Sequence, residues 1–557
     1  MKPTPSNDAI SSRSYETATG RRPHPRRWSG GASVGLSRRG LLGLAGGAGA
    51  AAALAACGLG GLSGQTAELM TSRARLPKPF DVALPIPPVK RPVRSDGTSD
   101  YYEIVQRVAD AEILPGLRTP ILGYDGIFPG PTLVSTSGRR TVVRHRNELP
   151  VPAAVHLHGG HTPAESDGFA TDLILPAGEW HPAAAAHTGG AAMTGNVAHG
   201  SRDYVYPLDQ RAATLWYHDH RMDFTGPQVY RGLAGLHLVH DDEERALPLP
   251  DGERDIPLMI CDRAFEEDGA FRYPSIDRTL RGTPGVSADF MEGVVGDVIL
   301  VNGAPWPVLQ VEAVRYRFRI LNASNARRYR LALDPAPPGG TSFVQIGSDG
   351  GLLERPVEHG TLDIASAERF DVVVDFSAYK SGTAVTLTNQ LGGGSTSRVM
   401  RFRVGRRVKD DSRVPARLSR IERLDPAKAV RTRTWWFRRG DVPAGGGHDR
   451  KGWTVNDKTF DPRRMDARPK LGGIEVWRFI SDLHHPVHVH LDPFQVISRG
   501  GRNAGTFDVG WKDTVDLRPA EYVDVAVRFT DYRGPYLLHC HNLEHEDMAM
   551  MATFETT

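Results

Sequence analysis

His539-Cys540-His541-Asn542-Leu543-Glu544-His545-Glu546-Asp547-Met548-Ala549-Met550-Met551 is the stretch on which the reading of this chain turns. A thiolate, two imidazoles and a soft thioether make up the ligand set of a blue copper site. Cys540, His545 and Met550 supply three of these four groups, so one imidazole must come from upstream. On an extended strand, successive side chains point to opposite faces. If Cys540 faces one copper, His539 and His541 face away from it, toward a second metal cluster. The backbone then joins the two sites covalently.

Working outward, the partners for that second cluster lie in three further motifs: His156-Leu157-His158, His218-Asp219-His220 and His485-Pro486-Val487-His488-Val489-His490. The period of two puts both imidazoles of each His-x-His pair on one face, where they can converge on a single site. Imidazole suits copper, and a thiolate with a thioether favours copper over zinc. A single His-x-His pair is weak evidence, because most buried histidines are simply hydrogen-bonded. The Cys540 segment alone would also fit an electron carrier with one copper. All four motifs together set both readings aside.

The rest of the chain reads as all-β. Thr141–Arg146, Val311–Ile320 and Phe370–Phe376 mix β-branched and aromatic residues with alternating polarity, and 60 Gly and 41 Pro punctuate them. Long amphipathic helices are absent, and the pattern predicts β-sandwiches with Greek-key connections. Three blocks follow an N-terminal segment at 1–56. Block 78–245 holds two His-x-His motifs. Block 250–408 begins after Leu247-Pro248-Leu249-Pro250 and has no ligand motif. Block 409–557 holds the other two motifs. Ligands from the first and last blocks meet only if those blocks pack together, so the cluster is expected at their interface, with the middle block as a structural spacer. Pro176–Arg202 reads as an insertion whose His181, His187 and His199 are loop histidines, and 407–433, dense in charge, reads as a connector.

The motifs resemble those of the multicopper oxidases, the family of laccases, ascorbate oxidase, ceruloplasmin and bilirubin oxidase. The likeness extends over His156–Gly168, Trp216–His220, Gln345–Leu353, Gly510–Thr514 and His539–Met551, and it is nearest to the spore-coat laccase, bilirubin oxidase and phenoxazinone synthase branch. It implies three cupredoxin-like Greek-key domains and four copper ions, one type 1, one type 2 and two type 3. His485, Cys540 and His545 match the type 1 ligands, with Met550 axial, a ligand that implies a low or middling potential. His156 and His488 match the type 2 ligands. His158, His218, His220, His490, His539 and His541 match the type 3 pair. Met548 and Met551 are read as packing, and Asp219, which alternation turns away from its neighbours, as structural.

Asp167 and Glu546 match acidic residues that the family uses near its trinuclear centre. Reduction of dioxygen to two waters consumes four electrons and four protons. Copper supplies only the electrons, and a carboxylate beside a cationic cluster can pass protons. The implied activity is laccase-like: one-electron oxidation of phenols or other aromatic compounds coupled to four-electron reduction of dioxygen. The nearest alternative is a metallo-oxidase for cuprous, ferrous or manganous ions. A copper nitrite reductase needs fewer histidines, and a copper store would need a cluster that fails to load.

Ser37-Arg38-Arg39-Gly40-Leu41-Leu42 and the Ala/Gly run to Ala56 read as a twin-arginine signal, which predicts export by that machinery to a periplasmic, surface or extracellular destination. Leu54-Ala55-Ala56-Cys57 resembles a lipobox, which predicts membrane attachment through a lipidated Cys57; the alternative is ordinary cleavage and a free secreted enzyme. Residues 1–39 carry eight Lys/Arg and two Asp/Glu, which leaves 60 basic and 63 acidic residues and a formal net charge of −3 in the remainder. The sequence pI of 8.7 therefore belongs to the address and is no argument for nucleic acid. Of three cysteines, Cys57 lies in the address and Cys540 is a ligand. Cys261 has no partner and reads as a small core hydrophobe, so no disulfide is expected. No oligomeric state is implied.

Overall fold

The computed structural model describes residues 67–178, 180, 195–444 and 448–557; the twin-arginine and lipobox segment and His181 and His187 lie outside them. Among the described residues no helix is long and apolar enough to cross a membrane. Strands form where polarity alternates. In Arg140–Asn147, Thr141, Val143, His145 and Asn147 are buried while Arg144 and Arg146 reach solvent. The fold is all-β and cupredoxin-like, and it is built from three successive pairs of sheets.

In the first pair, Ser99–Ala111 and its neighbours form a five-stranded sheet. The facing four-stranded sheet runs Gly130–Thr136, Ala234–His240, β2 (Ala213–Asp219), β1 (Val155–His158). The middle pair has seven and five strands, with β3 (Arg369–Asp375) inside the larger sheet. In the last pair a six-stranded sheet faces a four-stranded one, ordered β5 (Thr514–Leu517), β4 (His485–Val489), β6 (Gly534–Cys540), then Met551–Thr556. One pairing recurs in all three. Ser99–Ala111 lies parallel to Arg140–Asn147, Asp255–Arg263 to Arg315–Asn322, and Arg431–Ala444 to Ile474–Ser481.

Val311–Ile320, expected as one strand, is two. Val308–Val311 belongs to the five-stranded sheet and Arg315–Asn322 to the seven-stranded one. Between them Val314 N–H donates to Glu312 O at 2.9 Å and Ala313 N–H to Arg406 O at 3.0 Å, so the chain crosses from one sheet to the other with its backbone groups satisfied. Residues 407–425 form no regular element, and Leu418 and Leu424 anchor this connector in apolar surroundings. Cys261 is buried inside Asp255–Arg263, and burial pushes its thiol up to about 11. His199 is exposed on the short strand Ala198–His199.

The middle core is continuous with the first sandwich: Trp216, Val229 and Leu236 pack in one cluster with Leu258, Phe318 and Val372. Burial of each such side chain contributes about 1.5–3 kcal/mol. Charges join the same two units. Glu244 accepts from Arg317 at 2.6 Å and from Arg319 at 2.8 Å, and Arg319 also pairs with Asp255 at 2.8 Å. An Arg319→Met variant leaves the buried Glu244 and the half-buried Asp255 each short of a partner, and it is expected to lose about 3–5 kcal/mol in urea unfolding. Burial tends to raise Glu244, but His240, Arg319 and Arg317 outweigh it and hold the carboxyl well below its ordinary value of 4.5. A depressed folded-state value means that this contribution is complete above about 4.5 and is lost as the pH falls toward the depressed value.

Candidate metal centres

Alternation along β4 sorts its ligands. Val487 and Val489 face the last sandwich's core with Cys540, and His485 shares their parity. His488 and His490 take the opposite face. Register does the rest, because β4 and β6 are antiparallel with Val487 opposite Cys540 and His488 opposite His539. His541 is held by its N–H to Pro486 O at 2.6 Å. In the first sandwich His218 on β2 lies opposite His156 on β1.

On the core side, His485 Nδ1 and His545 Nδ1 lie 3.1 Å apart, and Cys540 Sγ is 3.5 Å from each. All three are fully buried, as is Met550. Met550 N–H donates to His545 O at 3.0 Å, and Met550 O accepts from Cys540 N–H at 3.1 Å, which ties the candidate axial residue to two ligands. Asp482 Oδ1 lies 2.9 Å from His485 Nε2 and fixes that ring. Trp453 lies against His545 with ring centroids 3.8 Å apart and the ring planes tilted by 31°. Burial pushes the Cys540 thiol well above its ordinary value and His545 well below. A bound cation reverses the first shift and needs the second, because it takes thiolate and neutral imidazole.

On the other side, eight histidines from the first and last sandwiches converge, each 1% exposed or less. His156 Nε2 faces His488 Nε2 at 3.3 Å. His539 Nε2 faces His220 Nε2 at 3.3 Å and His490 Nε2 at 3.2 Å. The His541 ring lies 5.0 Å from His158 and 5.3 Å from His218. Burial holds His156, His158, His490 and His541 well below their ordinary value, His218 at about 3 and His220 at about 4, so these rings are neutral donors. His158 Nδ1, His218 Nε2 and both ring nitrogens of His541 are buried with no hydrogen-bond partner. Leaving such groups unsatisfied costs about 1–3 kcal/mol each. Lone pairs that face one another across 3.2–3.3 Å and unpartnered buried nitrogens are what copper ions would satisfy. The donor set fits them.

Both candidate carboxylates lie at this cluster. Asp167 Oδ2 accepts from His490 Nδ1 at 2.7 Å, and Asp167 O accepts from His156 Nδ1 at 2.6 Å. Glu546 Oε2 is 3.1 Å from His539 Nδ1, and Oε1 is 3.5 Å from His220 Nδ1. Burial raises Asp167 well above its ordinary value. Burial also works to raise Glu546, but His539 and His220 outweigh it and bring the carboxyl down to about 2. Asp219 serves structure, accepting from Ala154 N–H at 3.0 Å and Arg221 N–H at 3.1 Å. One expectation needs correction. The middle sandwich gives no imidazole, yet it is more than a spacer: Arg369 at the start of β3 reaches Asp513, and Asp513 Oδ1 lies 3.1 Å from His158 Nε2. Asp513, Arg369, Trp453 and Asp482 escaped sequence reading. Of these only Asp513 sits in a stretch with a signal, Gly510–Thr514.

Multicopper oxidase family models match residues 107–193, 189–244 and 441–557. The chain is 35% identical to a laccase of Bacillus subtilis (strain 168), over 86% of this chain and 98% of that protein. It is 37% identical to a bilirubin oxidase of Albifimbria verrucaria, over 86% and 81%. The fold matches the crystal structure of a multi-copper oxidase from Pediococcus acidilactici with a TM-score of 0.74 and 30% identity, covering 88% of this chain and 94% of that one. Two histidine-lined candidate metal centres joined through one cysteine, in a chain with these relatives, lead to one conclusion: the chain belongs to the multicopper oxidase family and is a copper oxidoreductase that uses oxygen.

Proposed function

We propose that this protein is a laccase-like oxidase that takes single electrons from phenolic or other aromatic reductants and delivers four of them to dioxygen, forming two waters. His485, Cys540 and His545, with Met550 as a further donor, would hold a type 1 copper. His156 and His488 would hold a type 2 copper, and His158, His218, His220, His490, His539 and His541 a type 3 pair. When bound, these ions supply the one-electron steps. The chain's own residues give the connection and the protons. The observation that carries the reading is the position of Cys540 between His539 and His541, with its sulfur on one face of β6 and both imidazoles on the other.

A cavity of about 330 Å³ supports the aromatic substrate class. Met222, Val286, Phe460 and Met548 line it, and Asp223, Asp547, Lys451 and Thr459 add polar groups. Met291 also lines it, and Met291 O accepts from Trp453 Nε1–H at 3.0 Å. An aromatic ring seated there is connected to His545 through Met291 and Trp453, and outer-sphere transfer needs no direct contact with the ligand. Apolar walls interrupted by polar groups suit a ring that carries hydroxyl or amine substituents. The laccase and bilirubin oxidase relatives favour the same class. The methionines of this cavity favour a second reading, oxidation of cuprous ion, since thioethers are soft ligands. Oxygen uptake with a simple phenol and with cuprous ion, each on copper-loaded protein, decides. Uptake with cuprous ion alone overturns the aromatic reading, and uptake with neither overturns both.

A second cavity, of about 380 Å³, is lined by His156, His488, His490 and Asp513 and gives dioxygen and water a route to the cluster. Because the first and last sandwiches both supply imidazoles, bound copper cross-links them. At free copper 1,000-fold above its dissociation constant, each site adds about 4.1 kcal/mol of stability. Calorimetry of copper-loaded and chelator-stripped protein is expected to show the stripped form melting lower. We also propose twin-arginine export with Cys57 as a lipid anchor, on the strength of residues 37–57; a Cys57→Ser variant found in the soluble fraction rather than with membranes checks the anchor.

A further inference from the structure

We propose that Arg369 and Asp513 act as a positioning pair, through which the middle sandwich sets the donor atoms of two adjacent ligands in the eight-histidine cluster. The proposal rests on the copper reading of that cluster. Asp513 lies just ahead of β5, in the last sandwich, and touches two ligands by two different groups. Its Oδ1 is 3.1 Å from His158 Nε2, and its backbone O accepts from His488 Nδ1 at 2.9 Å. An ionised carboxylate and a carbonyl only accept. The proton of His158 therefore sits on Nε2 and that of His488 on Nδ1.

The consequence is a choice of lone pair. His158 is left with Nδ1 free, and that atom is buried without a partner beside the His218 and His541 rings. His488 is left with Nε2 free, facing His156 Nε2 at 3.3 Å. One residue thus selects the tautomer of a ligand in each of two neighbouring subsites. The partner of a ligand histidine's second nitrogen fixes its tautomer and ring orientation in this way.

Arg369 makes that residue immobile. Its guanidinium, 1% exposed, donates to Asp513 Oδ1 from Nη1 at 2.7 Å and to Oδ2 from Nη2. A two-pronged pair of this kind fixes orientation as well as charge. Asp349, also from the middle sandwich, accepts from Arg369 N–H at 2.8 Å and from Asp513 and Thr514 N–H at 3.3 Å each. Buried Lys512 pairs with Asp349 at 3.0 Å and with Glu368 at 3.1 Å. Gly159, directly after His158, leaves the space. Its φ is +82°, and a Cβ there would sit 2.6 Å from Arg369 Nη2 and 2.8 Å from Asp513 Oδ2. A side chain at 159 and the Arg369–Asp513 pair exclude each other.

The test uses full-length, copper-loaded wild type, Asp513→Asn, Arg369→Met, Arg369→Lys and the Arg369→Met/Asp513→Asn double variant. Copper per chain and the type 2 paramagnetic resonance signal are measured against the blue absorption of the Cys540 site, which is built from other residues. Asp513→Asn and Arg369→Met are expected to keep the blue absorption and to bind cluster copper roughly 10–100-fold more weakly. Arg369→Lys, which keeps the charge, is expected to recover part of this. The double variant is expected to cost no more than Asp513→Asn alone, because the two residues act as a unit. Full cluster copper with an unchanged type 2 signal in both Asp513→Asn and Arg369→Met overturns the proposal. Blue absorption and cluster copper falling together in every variant overturns it too, since that marks a role in folding only. If Asp513→Asn does not fold, the comparison of Arg369→Met with Arg369→Lys decides alone. A copper-replete wild type without oxygen uptake would sink the oxidase reading and leave this affinity comparison standing.

Discussion

A Cys540→Ser variant is expected to be colourless in the visible and to consume oxygen no faster than the uncatalysed background with any reductant. Cys540 is the only described sulfur that lies 3.5 Å from both His485 and His545, and its main chain continues directly into His539 and His541. Serine fills almost the same space, so the β4–β6 pairing has no reason to change. What it removes is the soft anionic donor, and with it the path from the core face of the strand to the far face. Visible spectra and oxygen uptake on copper-loaded variant check the expectation. Retention of substantial turnover without the blue band would show that electrons enter the eight-histidine cluster by another way.

The second large effect is expected at Glu546. Its carboxylate lies against His539 and His220 and is fully buried, beside the proposed site of dioxygen reduction. Glutamine preserves the shape and loses the ability to hand on a proton. A group that transfers protons in the rate-limiting step contributes about 10²–10⁴-fold. Glu546→Gln is therefore expected to slow steady-state oxygen uptake by that factor. Bleaching of the blue band by a reductant under anaerobic conditions should stay at the wild-type rate, because it needs no proton at the cluster. Stopped-flow bleaching and oxygen uptake, measured on one preparation, separate the two steps. Slow bleaching would place the defect at electron entry and refute the assignment.

The candidate ligands were legible because strands write them down: a period of two puts His156 with His158, His218 with His220, and His488 with His490, and the odd spacing puts His485 on the other side. That the first and last blocks must meet followed from the same count. Other features left no such trace. Arg369 and Asp513 are 144 positions apart, and their contact follows no periodicity. Trp453 covers His545 from a strand whose sequence gives no reason to expect a metal nearby. The break at Glu312–Val314 was hidden because no Gly or Pro interrupts Val311–Ile320 and the alternation of Arg315–Ile320 runs on from it, so only a change of sheet partner separates the two strands.

Opposite Cys540 stands Val487, and opposite His539 stands His488. Both centres are read off one pair of neighbouring strands, so neither can drift without the other. Shifting the pairing by one residue exchanges the faces of every side chain at once. It would send an imidazole meant for the eight-histidine cluster into the apolar core, and the sulfur out of it. Natural or engineered length variation within His485–Val489 must therefore come in even steps or be absorbed by a bulge, and single-residue insertions should be among the least tolerated changes in the protein.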